Sequence, residues 1–262
     1  MATSQDPGSL GVYGNRNRAD HSYGNLAIVS SRSITELAIW DQLARDGKRS
    51  IIVGVPPGYP PRRINGLSVS CFQTPDTSEN VFTHPAELSA EIRRLGCDYP
   101  VDVKGFRTHD KGWLRDRIFA MSQTQFQVVR HLMRNRPWDY IEFVDIGLDR
   151  IHHGFWKYHD PYHVLHEPDS PYRETVHDYY RHLDLEIGRV LELLTDETIV
   201  LVVSDHGAQR LDGALSTSAD YPGGRLVALA IPLFTSVRTI PGRTIAITPS
   251  SERLSSPVPT VL

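Results

Sequence analysis

The run Thr198-Ile199-Val200-Leu201-Val202-Val203 constrains this chain more than any other segment. It is apolar throughout, rich in β-branched side chains, and stops abruptly at Ser204-Asp205-His206-Gly207. Such residues favour pleated backbone. A strand without polar alternation is suited to burial on both faces, as in a parallel sheet covered by helices. Ser50-Ile51-Ile52-Val53-Gly54-Val55 reads the same way, and Tyr140-Ile141-Glu142-Phe143-Val144 gives a further strand.

The segments between these runs carry helical signals. Leu26-Ala27-Ile28-Val29 is a short strand; Ser33 and Glu36 then form a capping-box pattern ahead of an amphipathic run from Ile34 to Leu43, closing at Gly47. With the strand at Ser50 this predicts a βαβ unit. Thr83 to Leu95, Lys111 to Arg136 and Pro171 to Leu194 also read as helices. In the last of these, Tyr180, Leu183, Ile187, Val190, Leu191 and Leu194 share one face. Strands alternating with helices predict an α/β fold with a mostly parallel sheet flanked by helices. Pro56, Pro57, Pro60 and Pro61 mark a stiff loop leaving the carboxyl end of a strand, the edge where open parallel sheets bind ligands. Residues 56–136 read as a cap or insertion on a domain spanning 1–212. From 213 to 262 there are six charged side chains and no histidine, with much Ser, Thr and Pro and no sustained period, which predicts an irregular tail or out-of-frame translation.

The net charge of -3, with arginines scattered rather than striped, argues against nucleic acid as the main partner. The longest apolar run, Leu226 to Phe234, is too short to span a bilayer and contains Pro232. The first twenty residues are polar and Gly-rich, so a cytoplasmic protein without membrane attachment is expected. Cys71 and Cys97, at no metal-ligand spacing, are expected to be reduced thiols.

Two local constellations carry chemistry. Asp149-Arg150-Ile151-His152-His153 follows a buried strand, and on a helix Asp149 and His153 share one face, so that a carboxylate and an imidazole can reach one ion. Asp205-His206 ends the most apolar strand, where Gly207 permits the break that lets both side chains serve one site. Each pair alone is commonly a surface turn or a satisfied hydrogen bond. Their conjunction at strand ends points to a metal site, and mixed oxygen and imidazole donors suit zinc, with manganese the alternative. Arg150, His152 and Lys157 are open between substrate contact and a solvated or core-bordering role. His159, His163 and His166 read as an exposed loop, and Tyr179 and Tyr180 as packing.

Val203-Ser204-Asp205-His206-Gly207, with Leu148-Asp149-Arg150-Ile151-His152-His153-Gly154-Phe155-Trp156, resembles the type I phosphodiesterase/nucleotide pyrophosphatase branch of the alkaline-phosphatase superfamily. Gly11-Val12-Tyr13-Gly14-Asn15-Arg16-Asn17-Arg18 is similar to the loop following the nucleophile helix in that family, and Val53-Gly54-Val55-Pro56-Pro57 also resembles it. The resemblance implies an alkaline-phosphatase-like fold, two divalent metal ions and a small phosphorylated substrate. It assigns Asp149 and His153 to one ion and Asp205 and His206 to the other, with Asn15, or equally Asn17, contacting phosphate. It places the nucleophile and a first metal aspartate before Gly11, upstream of Met1, and a further histidine after His206. By this reading the chain is an incomplete domain with two protein ligands per ion, and is expected to hydrolyse phosphate mono- or diesters poorly. A phosphomutase of the same superfamily, or a non-catalytic scaffold, are the alternatives. The sequence leaves the oligomeric state open.

Overall fold

Burial of Ser50–Val53 on both faces organises the sheet, and these four residues form β3, with every side chain buried. The computed structural model describes residues 2–20, 22, 24–96 and 98–210, together with the backbone of 236–240 and 243–247. They fall into two compact units, Met1–Gly154 with His177–Leu193, and Phe155–Val176 with Leu194–Leu262.

The first unit opens with a single helical turn, α1 (Pro7–Leu10), and a two-stranded antiparallel ribbon of β1 (Arg16–Arg18) and β2 (Leu26–Ile28). Helix α2 (Ile39–Arg45) precedes β3. There follow β4 (Gly66–Val69), β5 (Thr83–His84), α3 (Leu88–Arg94), α4 (Lys111–Asn135), β6 (Tyr140–Phe143) and α5, which begins at Gly147 and runs to His159. Helix α6 (Thr175–Leu191) supplies most of the remainder. The four-stranded sheet has the order β5-β4-β3-β6, with β3 parallel to both β4 and β6 and β5 antiparallel at one edge.

Ile51 and Val53 point to one face, where they join Leu88, Ile92, Val128, Val129 and Leu132 from α3 and α4. Ile52 points to the other, against Ala38 and Trp40 at the start of α2. Helices therefore cover both faces of β3, as its unbroken apolar run requires. Helix α4 also packs against α6: the Phe119 ring meets Tyr179 edge-on at 5.0 Å, and Arg130 pairs with the buried Glu186.

Several expectations need correction. Residues 56–136 are not a cap: they supply β4 and β5 to the sheet and α3 and α4 to the core. The proline loop is itself the crossover from β3 to its parallel neighbour β4, and prolines there hide a connection that normally carries a helix. Residues 26–29, 34–43 and 50–55 do not make a βαβ unit. β2 pairs with β1 rather than β3, leaving Leu26 and Ile28 exposed. The Ser33–Glu36 capping box is replaced upstream by Ser30 and Ser33, which cap a 3-10 turn at Ser31–Ser33. Helix α2 starts only at Ile39, with Asp41 accepting the Ala38 N–H at 3.0 Å. Thr83 and His84 belong to β5, so the helix expected from Thr83 begins at Leu88.

In the second unit, residues 198–203 form no helix or strand, and among the described residues they pair with no strand. Ile199, Leu201 and Val203 are exposed. An apolar run becomes a buried strand only where a neighbour completes its ladder and helices cover its faces. Within the tail, β7 (Ser236–Ile240) and β8 (Arg243–Ile247) pair as an antiparallel hairpin. The other residues assigned to the tail, 213–235, 241–242 and 248–262, lie outside the described residues, as does Cys97. Cys71 is a free, buried thiol. Among the described residues no helix is long and apolar enough to cross a membrane.

Candidate metal and phosphate site

Because β3, β4 and β6 are parallel, their carboxyl ends share one edge of the sheet. Phe72 and Gln73 follow β4, Gly54 follows β3, and Asp145 with the first turns of α5 follows β6. Gly54 has a positive φ of 72°, and a Cβ there would stand 2.8 Å from the Val144 carbonyl oxygen. A side chain would force β3 and β6 apart where the site begins.

Helix α5 carries the first expected pair. Asp149 and His153 sit one turn apart on it, with Asp149 Oδ1 3.5 Å from His153 Nε2. The His153 side chain is 64% exposed and that of Asp149 28%. The Asp149 carboxylate is held from behind: Oδ2 accepts a hydrogen bond from Arg150 Nη1 at 2.6 Å. Arg150 is itself fixed by Asp102, which accepts from Nε at 2.8 Å and from Nη2 at 2.7 Å. The guanidinium lies over the Phe106 ring, 4.2 Å from its centroid. Burial works against its charge, but the bonds to Asp102 and Asp149 outweigh it and leave the guanidinium more firmly protonated than usual. Arg150 is thus tied to two carboxylates rather than presented to a substrate. His152 meets the Tyr180 hydroxyl at 3.2 Å, and in the second unit Lys157 pairs with Glu167.

Asp205 and His206 lie in the second unit, with His206 Nε2 3.7 Å from Asp205 Oδ2 and both side chains well exposed. The structure thus assembles two Asp/His pairs in separate units. Each is an oxygen–nitrogen donor pair of the type zinc and manganese accept, and each fits half of a coordination shell. Among the described residues no group of three or more His, Cys, Asp or Glu side chains gathers to complete one. His163 and His166 are held in local turns, His163 Nδ1 accepting from the Leu165 N–H and His166 Nδ1 lying 2.9 Å from the Lys157 carbonyl.

The two asparagines differ. Asn17 closes its own loop, accepting the Tyr13 N–H at 3.2 Å and donating to the Gly11 carbonyl at 2.5 Å. Asn15 is exposed, and its Oδ1 makes a 3.5 Å contact with Gln73 Nε2, beyond the end of β4.

Three residues of this edge escaped the sequence reading. Asp102 and Phe106 lie in a loop without periodicity, and only their contacts with Arg150 reveal them. Asp145 follows β6 directly, a position that could have drawn notice. It is half-buried; its Oδ2 accepts from the Leu148 N–H at 3.1 Å and from the Tyr179 hydroxyl at 2.9 Å, tying α6 to the start of α5. Burial pushes its carboxyl above the ordinary range despite those bonds. His182, 3.1 Å from the Ser122 hydroxyl, is held below the ordinary imidazole range by burial.

A mostly parallel sheet flanked by helices, with an Asp/His pair on the helix that follows β6, defines an α/β protein. The chain belongs to the type I phosphodiesterase/nucleotide pyrophosphatase family, whose model matches residues 1–223. This is a branch of the alkaline-phosphatase superfamily, and its members are generally dependent on divalent metal ions. No curated protein and no solved structure gives a significant match.

Proposed function

We propose that this chain carries the metal-binding framework of a phosphoric ester hydrolase acting on a small phosphate mono- or diester. The family match over residues 1–223, with Asp149 and His153 on the carboxyl edge of the sheet, is the observation that carries this reading. In it, Asp149 and His153 hold one divalent ion and Asp205 and His206 hold a second, zinc or manganese. Bound there, such ions would supply charge neutralisation for the phosphoryl oxygens and activation of a nucleophile. Asn15 contacts phosphate, because Asn17 is committed to its loop. The nucleophile is not assigned to a residue of this chain. The phosphodiesterase/pyrophosphatase description of the family favours hydrolysis over phosphoryl transfer within a mutase. The cytoplasm is the proposed place of action.

The described residues give each ion two donors, fewer than the three or more that such sites draw from protein, and on that reading metal binding is weak and turnover slow. Hydrolysis of 4-nitrophenyl phosphate and bis(4-nitrophenyl) phosphate by the full chain tests this. Slow release that requires added Zn²⁺ or Mn²⁺ and disappears in His153→Ala is expected. Metal-independent release unaffected by His153→Ala would sink the assignment, and fast turnover would overturn the impairment.

A further inference from the structure

The Asp149 carboxylate is held by its neighbour in sequence, Arg150. Neighbouring residues on a helix diverge by about 100°, so the long arginine side chain must bend back to make this contact. Here Arg150 is fixed in that position from outside the helix. Asp102 engages Nε and Nη2 as a two-pronged acceptor at 2.8 and 2.7 Å, while Phe106 covers the guanidinium plane at 4.2 Å. What remains is Nη1, and it donates to Asp149 Oδ2 at 2.6 Å. That leaves Oδ1 as the oxygen nearer His153 Nε2.

We infer that Asp102 and Arg150 are positioning residues: together they fix the Asp149 carboxylate so that Oδ1 and the His153 imidazole are held ready for one divalent cation. This rests on the proposed assignment of Asp149 as a metal ligand. The charges are consistent with that role. Arg150 alone beside Asp149 would cancel the carboxylate and repel a cation, but Asp102 offsets the guanidinium, so the trio presents a net single negative charge. The same Phe106 ring packs against His153, with centroids 6.3 Å apart, so the Arg150 guanidinium and the His153 imidazole share one aromatic wall.

Co²⁺ binding to the full chain, followed by calorimetry and by visible absorption, tests the inference. The double variant Asp102→Asn/Arg150→Gln removes one charge of each sign and so changes orientation without changing net charge. It should bind Co²⁺ about tenfold more weakly with an altered visible spectrum, while far-ultraviolet circular dichroism stays native. Arg150→Lys keeps the charge but loses the fork, and should weaken binding by less; it carries the same test should the double variant fail to fold. Wild-type affinity and spectrum in these variants, alongside lost binding in Asp149→Ala, would overturn the positioning role and leave the ligand assignment standing. Unchanged binding in Asp149→Ala, or no Co²⁺ binding by the wild-type chain, would overturn both.

Discussion

The Tyr179 hydroxyl donates to Asp145 Oδ2 at 2.9 Å, joining α6 to the start of α5, with the tyrosine fully buried and the aspartate half-buried. Helix α5 carries Asp149 and His153, so this bond helps set where the candidate site stands. Tyr179→Phe keeps the ring and its edge contact with Phe119 but strips the carboxyl of one donor. Leaving an acceptor short of a partner costs about 1–3 kcal/mol, which chemical denaturation of the variant should show.

Gly147 is where that bond leaves no room for a side chain. A Cβ on it would fall 1.9 Å from the Tyr179 hydroxyl oxygen and 3.3 Å from Asp145 Oδ2. Gly147→Ala must therefore push Tyr179 off its acceptor or shift the first turn of α5. The expected loss is about 1–3 kcal/mol from overpacking. A thermal midpoint equal to the wild type's would show that the approach is looser than described.

The raised Asp145 carboxyl has a pH signature. An acid whose native pKa lies above its unfolded value, ordinarily 3.8, contributes its full stability below that value and loses it as pH rises through the native pKa. Asp145→Asn keeps the shape without the titration. The stability of the variant relative to wild type should therefore shift in the variant's favour as pH climbs from about 4 toward neutrality. His182 adds an opposite dependence, losing stability as pH falls below its ordinary 6.5; removing the Asp145 charge lowers its imidazole further, which acts in the same direction as the predicted shift. A difference in stability that stays flat across this range would contradict the raised-carboxyl reading.

Apolar residues that look alike in the sequence should differ sharply when truncated. Leu132 is fully buried against the sheet, and Leu132→Ala should cost about 2–5 kcal/mol in denaturant unfolding. Ile199 is 73% exposed, and Ile199→Ala should stay within about 0.5 kcal/mol.

That contrast marks where the sequence was legible. Ser50–Val53 and Tyr140–Phe143 were readable as strands because burial on the sheet leaves an apolar imprint that needs no knowledge of the partner. Thr198–Val203 bears the same imprint, yet strand formation depends on a neighbour, which no local pattern encodes. The cap reading of 56–136 failed for a related reason. Gly66–Val69 is only four residues long, with serine at its centre, and the prolines before it disguise a crossover. Asp149 and His153 were legible because helical spacing alone places them together. Asp102 and Phe106 were not, since their link to Arg150 spans more than forty residues and leaves no periodic trace.

Asp149 and His153, one helical turn apart on α5, are proposed to hold one divalent cation. The most direct measurement is electron paramagnetic resonance of the full chain titrated with Mn²⁺. Binding removes the sharp six-line signal of the free aqueous ion, so bound and free Mn²⁺ can be counted. The expected result is loss of that signal as the wild-type chain binds Mn²⁺, with weaker binding in Asp149→Ala and in His153→Ala. A free-ion signal throughout the titration, or binding indifferent to either substitution, would contradict the assignment.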